Sequence, residues 1–156
     1  MIKLKVLRGK KIYIAGHRGM VGSALFRYFK NNKINKLIYA DKRQLNLLDK
    51  KKVNEFIKKK KPHIIINCAG RVGGILANSS FPVEFLNENI EIQLNLINAS
   101  FKNKIKHFIN LGSSCIYPNN FSKHIKEEYL LTSTLEKTNE AYALAKIIGL
   151  KSCEFY

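Results

Sequence analysis

A tyrosine and a lysine four residues apart, Tyr142 and Lys146, have a spacing that suits acid–base chemistry. On a helix, residues at this spacing share one face. A free phenol has a pKa near 10 and is a poor acid–base catalyst at neutral pH. A neighbouring ammonium group favours the phenolate, so Lys146 is predicted to lower the pKa of Tyr142. Ser113, predicted at the C-terminal end of a strand, could stabilise a developing oxyanion.

A glycine-rich stretch near the N-terminus has a spacing suited to phosphate binding. An apolar segment, Lys11–Ala15, precedes it and predicts a strand, and the pattern of Ser23–Phe29 predicts a helix. A tight turn between a strand and a helix directs backbone N–H groups toward a pyrophosphate. The stretch is therefore predicted to bind a dinucleotide, although its spacing is G-x-x-G-x-x-G and not the commoner dinucleotide fingerprint G-x-G-x-x-G. It comprises Gly16, His17, Arg18, Gly19, Met20, Val21 and Gly22.

The residues that follow the second predicted strand give two conflicting signals about the cofactor. Asp41 lies where an acidic residue would bind an adenosine ribose hydroxyl, which favours NAD. Lys42 and Arg43, together with Arg18, would instead favour a 2′-phosphate and hence NADP. The sequence leaves both alternatives open.

Strand and helix patterns alternate along the chain. This alternation predicts an α/β fold, in which a doubly wound parallel sheet is covered by helices on both faces. The predicted strands are Lys11–Ala15, Leu37–Ala40, Ile64–Ile66 and Ile105–Leu111, with a brief further strand within Gln44–Asp49. The later predicted helices are Lys50–Lys61, Pro82–Lys102 and one from Asn139 onward, and residues 118–138 read as a long loop.

Composition bounds the class of protein. The 156 residues, of which 46% are hydrophobic, are enough for one domain with a substantial core. No apolar run approaches the roughly 20 residues that span a bilayer, and three cysteines without paired spacing indicate neither a disulfide framework nor a metal site. A cytoplasmic location is the simplest prediction. The net charge of +17 is spread along the chain, so a solvated surface is favoured over nucleic-acid binding.

The motifs together resemble the extended short-chain dehydrogenase/reductase superfamily. Within it, the chain is similar to the GDP-L-fucose synthase family of NADPH-dependent nucleotide-sugar epimerase/reductases. The glycine stretch carries this resemblance, together with the segments 45–49, 72–75, 111–118 and 138–143. The Ser-Ser-Cys-Ile-Tyr-Pro block at 113–118 is far more specific to the family than the glycine turn.

The resemblance implies a Rossmann-like fold, a GDP-sugar substrate and roles for particular residues. It implies a catalytic set of Ser113, Cys115, Tyr142 and Lys146, in which Tyr142 protonates the C4 oxygen and Cys115 acts in epimerisation. A thiol, with an ordinary pKa of about 8.5, suits proton exchange near neutrality. The implied NADP contacts are residues 16 to 22, Lys42, Arg43, Asn46, Leu47, Leu111, Gly112 and Ser114.

Several features depart from the family pattern. Ala141 replaces the proline that usually precedes the catalytic tyrosine, and no histidine follows Lys146 to act as the epimerisation acid. Family members are roughly twice as long, so the chain is expected to be a fragment without the substrate-binding domain. The alternatives are an NAD-dependent nucleotide-sugar epimerase or dehydratase and a non-catalytic nucleotide-binding remnant. The resemblance also implies a homodimer formed by the two long helices Pro82–Lys102 and Asn139–Tyr156.

Overall fold

The computed structural model describes residues 4–120 and 124–156 of the chain. Four parallel strands form one sheet in the order β2-β1-β3-β4. The strands are β1 (Ile12–Ala15), β2 (Leu37–Ile38), β3 (Ile64–Asn67) and β4 (His107–Asn110). The helices are α1 (Met20–Asn31), α2 (Lys50–Lys60), α3 (Ile75–Ser80), α4 (Pro82–Lys102) and α5 (Glu140–Phe155). Short 3₁₀ helices occupy Leu4–Leu7, Ser114–Ile116, Glu127–Tyr129 and Lys137–Asn139.

The chain divides into two compact units and passes between them three times, once within α4. The first unit is Met1–Gly70 with Ile92–Leu111, and the second is Arg71–Glu91 with Gly112–Tyr156. Chain length predicts a single domain, and the division into two compact units does not test that prediction. The whole sheet belongs to the first unit.

At its central strand β1 the sheet is buried on both faces. Alternate residues of β1 point to opposite faces, as the pleat of a strand requires. Tyr13 and Ala15 pack with buried residues of α2 and α4, including Val53 and Leu96. On the other face, Ile12 and Ile14 pack with Phe29 of α1 and with Ile34 and Ile66. The prediction of a doubly wound parallel sheet is confirmed.

The second unit places α5 beside two short 3₁₀ helices. The segment Ser114–Ile116 packs against α5, and Lys137–Asn139 packs against both α3 and α5. Ala143, Ala145 and Lys146 of α5 are buried, whereas Leu144 and Ile148 are exposed. The face of α5 that carries Lys146 is therefore its packed face.

The structure corrects several predicted bounds. Residues 44–49 form turns, so the predicted brief strand is wrong. The side chains of Asp41, Asn46 and Asp49 accept hydrogen bonds from nearby backbone N–H groups there, and such bonds stabilise turns in preference to a strand. α1 begins at Met20, inside the glycine stretch, and α3 was not predicted at all. The long loop contains two 3₁₀ helices, and its residues 121–123 lie outside the described residues.

Candidate functional site

The glycine turn between β1 and α1 requires glycine at two positions. Gly16 has a φ of 77°, and a Cβ added there would lie 2.8 Å from the Cα of Ala69, which follows β3. A Cβ on Gly22 would lie 2.2 Å from the carbonyl oxygen of Gly16. The first turn of α1 therefore lies directly against the turn, at the point where the strand order switches between β1 and β3. Open α/β sheets bind ligands at this point.

The N-terminus of α1 is suited to an anion. Its N-cap, Gly19, offers no side-chain acceptor, and the first turn contains no acidic residue. The helix dipole and the N–H groups of that turn therefore remain available to a phosphate. Met20 is 86% exposed and Val21 is also exposed, so two apolar side chains border the same turn.

Asp41 braces its own loop. One carboxylate oxygen accepts hydrogen bonds from the backbone N–H groups of Arg43 and Gln44, each at 3.0 Å. The other oxygen pairs with Arg18, with 3.2 Å between Nη2 and Oδ2. The hydrogen bond from Gln44 and the charge of Arg18 hold the pKa of Asp41 below its usual value. Because Asp41 already has these partners, its presence is a weaker signal for NAD than the sequence indicated.

Three aromatic rings lie beside this corner. The ring of His17 lies 5.0 Å from that of Tyr39, and Phe26 packs edge-on against Tyr39 at 5.1 Å. Tyr39 is half-exposed. Asn46 is exposed, with its side-chain oxygen bound by the N–H of Leu48, whereas Leu47 packs on the core. The sequence pattern did not indicate a role for the half-exposed ring of Tyr39.

A row of buried and half-buried amides joins the carboxyl ends of β3 and β4. The side chain of Asn67, fully buried, donates to Asn110 at 2.8 Å, and Asn110 donates to Gln93 of α4 at 2.9 Å. The side-chain oxygen of Asn67 accepts from the backbone N–H of Ala69 at 3.1 Å. The row thus fixes the loop after β3 that approaches Gly16. Leu111 donates its N–H to the carbonyl of Asn67.

Ser113 and Cys115 contact each other in the second unit. Ser113 caps the 3₁₀ helix Ser114–Ile116, and the Sγ of Cys115 lies 3.1 Å from the Oγ of Ser113. Both side chains are half-buried, whereas Gly112 and Ser114 are exposed. The cap fixes the direction of both reactive side chains.

Tyr142 and Lys146 share a face of α5, as their spacing predicted. The Nζ of Lys146 lies 5.6 Å from the centroid of the Tyr142 ring, and Lys146 is only 5% exposed. The predicted direction of the pKa shift is wrong, however. Burial, followed by the charge of Cys115, raises the pKa of Tyr142 above its ordinary value. The phenol therefore keeps its proton at neutral pH, which suits a proton donor.

Glu136 stabilises the chain just before α5. Its carboxylate accepts from the backbone N–H of Thr138 at 3.1 Å and from the Thr138 hydroxyl. These bonds hold the pKa of Glu136 below its usual value. They fix the 3₁₀ turn from which α5 begins, two residues before Tyr142. This role was not predicted, because a single glutamate in a loop has no sequence pattern that indicates a cap.

The structure brings the predicted residues together in two groups. The second unit holds Ser113, Cys115, Tyr142 and Lys146, along with Gly112 and Ser114. The first unit holds the glycine stretch 16–22, Lys42, Arg43, Asn46, Leu47 and Leu111. Among residues 4–120 and 124–156, no group of three or more His, Cys, Asp or Glu side chains is placed to hold a metal ion. No helix in those ranges is long and apolar enough to cross a membrane.

The chain matches the model of one protein family and several curated relatives. The model of the NAD dependent epimerase/dehydratase family matches residues 12–156. A GDP-L-fucose synthase of Sinorhizobium fredii is 46% identical over 97% of this chain and 48% of its own length. A GDP-L-colitose synthase of Yersinia pseudotuberculosis is 44% identical over 93% of this chain and 47% of its own. The chain thus spans about half the length of these curated relatives.

A solved structure of similar shape carries a bound cofactor. The GDP-mannoheptose C4 reductase MlghC from Campylobacter jejuni, with NADP bound, superposes with a TM-score of 0.91 at 36% identity. The match covers 96% of this chain and 47% of that one.

Proposed function

Since the chain belongs to the NAD-dependent epimerase/dehydratase family, we propose that it provides the NADP-binding and proton-transfer residues of a GDP-L-fucose synthase-type enzyme. Such an enzyme converts GDP-4-keto-6-deoxy-D-mannose to GDP-L-fucose by epimerisation at C3 and C5 and reduction at C4. The 46% identity to the S. fredii synthase supports this proposal. So does the 44% identity to the GDP-L-colitose synthase of Y. pseudotuberculosis, a synthase of a second GDP-linked sugar.

The observation that carries the proposal is the thiol of Cys115 beside Ser113, near the phenol of Tyr142. Besides the hydride that its cofactor supplies, a reductase needs only a proton donor and a group that polarises the carbonyl. A thiol in the same cluster, 3.1 Å from the serine hydroxyl, adds a group able to exchange protons. This combination is suited to epimerisation coupled to reduction.

The first unit suits the cofactor. The uncapped N-terminus of α1 would hold the pyrophosphate, and Arg18 and Lys42 would contact the 2′-phosphate. The engagement of Asp41 with its own loop and with Arg18 supports NADP over NAD. When bound, NADPH supplies the hydride for the reduction at C4.

The residues of the second unit divide the proton transfers. Tyr142, whose raised pKa keeps it protonated, donates a proton to the C4 oxygen, and the Ser113 hydroxyl hydrogen-bonds that oxygen. Lys146, beside the Tyr142 ring, stabilises the negative charge left on the phenol. Cys115 removes the protons at C3 and C5, which the C4 ketone acidifies. Inversion then needs a second proton donor on the opposite face of the sugar, a role for which no histidine follows Lys146 in this chain.

The test is a fluorescence titration of the 156-residue chain with NADPH and with NADH. We expect NADPH to bind more tightly. The double variant Arg18→Ala/Lys42→Ala should bind NADPH roughly tenfold more weakly and NADH equally well. Lys58→Ala, on the exposed side of α2, is the matched control. Equal binding of the two cofactors by the unaltered chain would favour an NAD-dependent member of the family.

A second candidate is a C4 reductase of another GDP-4-keto sugar. The similarity to MlghC at 36% identity favours it. Proton exchange separates the two functions, because epimerisation exchanges carbon-bound protons without hydride transfer. Incorporation of deuterium at C3 and C5 of GDP-4-keto-6-deoxy-mannose in heavy water, lost in Cys115→Ser, supports the epimerase. Absence of exchange in a chain that reduces the C4 ketone with NADPH supports the reductase.

Homodimer formation is also part of the proposal. Leu144, Ile148 and Phe155 are exposed and fall on one stripe of α5, which gives it an apolar surface for self-association. Leu144→Glu/Ile148→Glu should convert a dimer to a monomer in light scattering, whereas Tyr28→Glu on α1 should not. A monomeric unaltered chain would refute the dimer. The cytoplasmic location and the absence of a nucleic-acid partner stay predictions from composition.

A further inference from the structure

We infer that Phe85 is a positioning residue for the Tyr142 phenol and that Arg71 holds Phe85 in place. The inference concerns the proton donor of the proposed function and rests on that function only for its catalytic meaning. Every residue involved belongs to the second unit.

Phe85 is enclosed by three neighbours. It is 2% exposed, and its ring meets the ring of Tyr142 edge-on, with 6.4 Å between centroids. A Cβ added to Gly73 would lie 3.0 Å from the Cζ of Phe85. The guanidinium carbon of Arg71 lies over the ring, 5.3 Å from its centroid. The ring therefore has little freedom, and it restricts the ring of Tyr142 in turn.

Arg71 is itself fixed at both its backbone and its side chain. The side-chain amide of Asn89 accepts from the N–H of Arg71 at 2.9 Å and donates to the carbonyl of Arg71 at 3.0 Å. The Nη1 of Arg71 lies 2.6 Å from a carboxylate oxygen of Glu88. Phe85, Glu88 and Asn89 are three and four residues apart, so they share one face of α4. This face of α4 therefore carries both the ring that Arg71 covers and the two side chains, Glu88 and Asn89, that bind Arg71.

The position of Phe85 matters for the phenol because it excludes water from one side of Tyr142. Lys146 of α5 and Cys115 of the 3₁₀ helix are the titratable groups recorded beside the phenol. The charged groups next to the Phe85 ring are Arg71, over its face, and Glu88, which pairs with Arg71. Burial is the largest cause of the raised pKa of Tyr142, and an aromatic wall contributes to that burial.

The experiment follows the phenol titration of the chain labelled with ¹³Cζ-tyrosine, without cofactor, by NMR. Tyr142→Phe assigns the resonance among the seven tyrosines. In Phe85→Leu, which keeps an apolar side chain, we expect the Tyr142 titration midpoint to fall by about one pH unit. Its line width should change as the ring gains mobility. Since no cofactor is present, the result does not depend on whether NADPH binds.

Two further variants keep the inference testable. Phe29→Leu removes a ring of similar burial in the first unit and should leave the Tyr142 titration unchanged. Arg71→Lys keeps the charge but loses the planar stack, so the midpoint should fall by a smaller amount in the same direction. If Phe85→Leu does not fold, Arg71→Lys decides. An unchanged Tyr142 titration and line width in a folded variant would overturn the inference.

Discussion

The guanidinium of Arg18 and the carboxylate of Asp41 form an ion pair across the cofactor corner, with 3.2 Å between Nη2 and Oδ2. Arg18 comes from the glycine turn and Asp41 from the loop that follows β2. The pair joins the residue that favours a 2′-phosphate to the residue that favours a free ribose. In the proposed NADP site, this contact would set the charge that the 2′-phosphate meets.

Asp41→Asn tests this role of the ion pair. An asparagine oxygen can still accept from the backbone N–H groups of Arg43 and Gln44, but the charge opposite Arg18 is lost. NADPH affinity should rise about threefold, as expected for an exposed ion pair, with NADH affinity unchanged. Weaker binding of both cofactors, measured by fluorescence titration, would show instead that the carboxylate contacts the ribose.

Gly22→Ala tests the close contact between α1 and the glycine turn. The added methyl group would lie 2.2 Å from the carbonyl oxygen of Gly16, so α1 must shift. Urea unfolding should show a loss of about 2 kcal/mol, and NADPH binding should be lost. Gly74→Ala is the control, because its Cβ meets no atom within 4 Å. Equal stability of the two variants would contradict the prediction.

Asn67→Ala removes the centre of the amide row. The substitution leaves Asn110 and the N–H of Ala69 each short of a buried partner, so the free energy of unfolding should fall by about 3 kcal/mol. Asn120→Ala, at an exposed hydrogen bond to Ser133, should change it little. Chemical denaturation measures both. A small effect at Asn67 would mean that water replaces the lost amide.

Glu136 makes stability depend on pH in one direction. Its folded-state pKa is lowered, so its stabilising contribution is present above the unfolded-state pKa and is lost as pH falls through the folded value. The melting temperature of Glu136→Ala should lie below that of the unaltered chain at pH 7 and approach it below about pH 4. Thr138→Val removes the hydroxyl donor but keeps the backbone N–H, so it should reproduce part of this pattern. A gap that is constant with pH would be inconsistent with the assignment.

Ser113→Ala should make the Cys115 thiol more reactive. The serine oxygen accepts from the thiol at 3.1 Å, and losing that acceptor frees Sγ to react. Peptide-resolved mass spectrometry should show alkylation of Cys115 by iodoacetamide accelerating about threefold. Exposed Cys153 in the same molecule provides the internal reference. An unchanged rate of alkylation would show that the Ser113 hydroxyl does not affect the reactivity of the Cys115 thiol.

The sequence predicts those parts of the fold in which local pattern and tertiary packing agree. The apolar residues of β1 and the Pro82 start of α4 were correctly identified, because a buried strand and a long periodic helix have strong signatures. The turns at 44–49 were missed, since Asn46 and Asp49 bond locally where a strand pattern was read. α3 was missed because six residues ending in Asn-Ser-Ser after two glycines carry little periodicity.

Burial limits what the sequence indicates about the site. The Tyr142–Lys146 spacing gave the shared face correctly, but the direction of the Tyr142 pKa shift depends on how far the phenol is desolvated, which spacing does not encode. On α4 the buried face includes Asn89 and Gln93, two polar residues that a hydrophobic pattern assigns to solvent. Their partners come from distant segments, so only the folded chain identifies them.

The row formed by Asn67, Asn110 and Gln93 contains carboxamides alone. None of these side chains gains or loses a proton between acidic and basic pH, so the row does not contribute to a pH titration of the protein. A pH profile of a reaction supported by this chain would consequently report on its thiol, phenol and ammonium groups and on the carboxylates of its turns. The carboxamides of Asn67 and Asn110, at the ends of β3 and β4, would add no inflection to that profile.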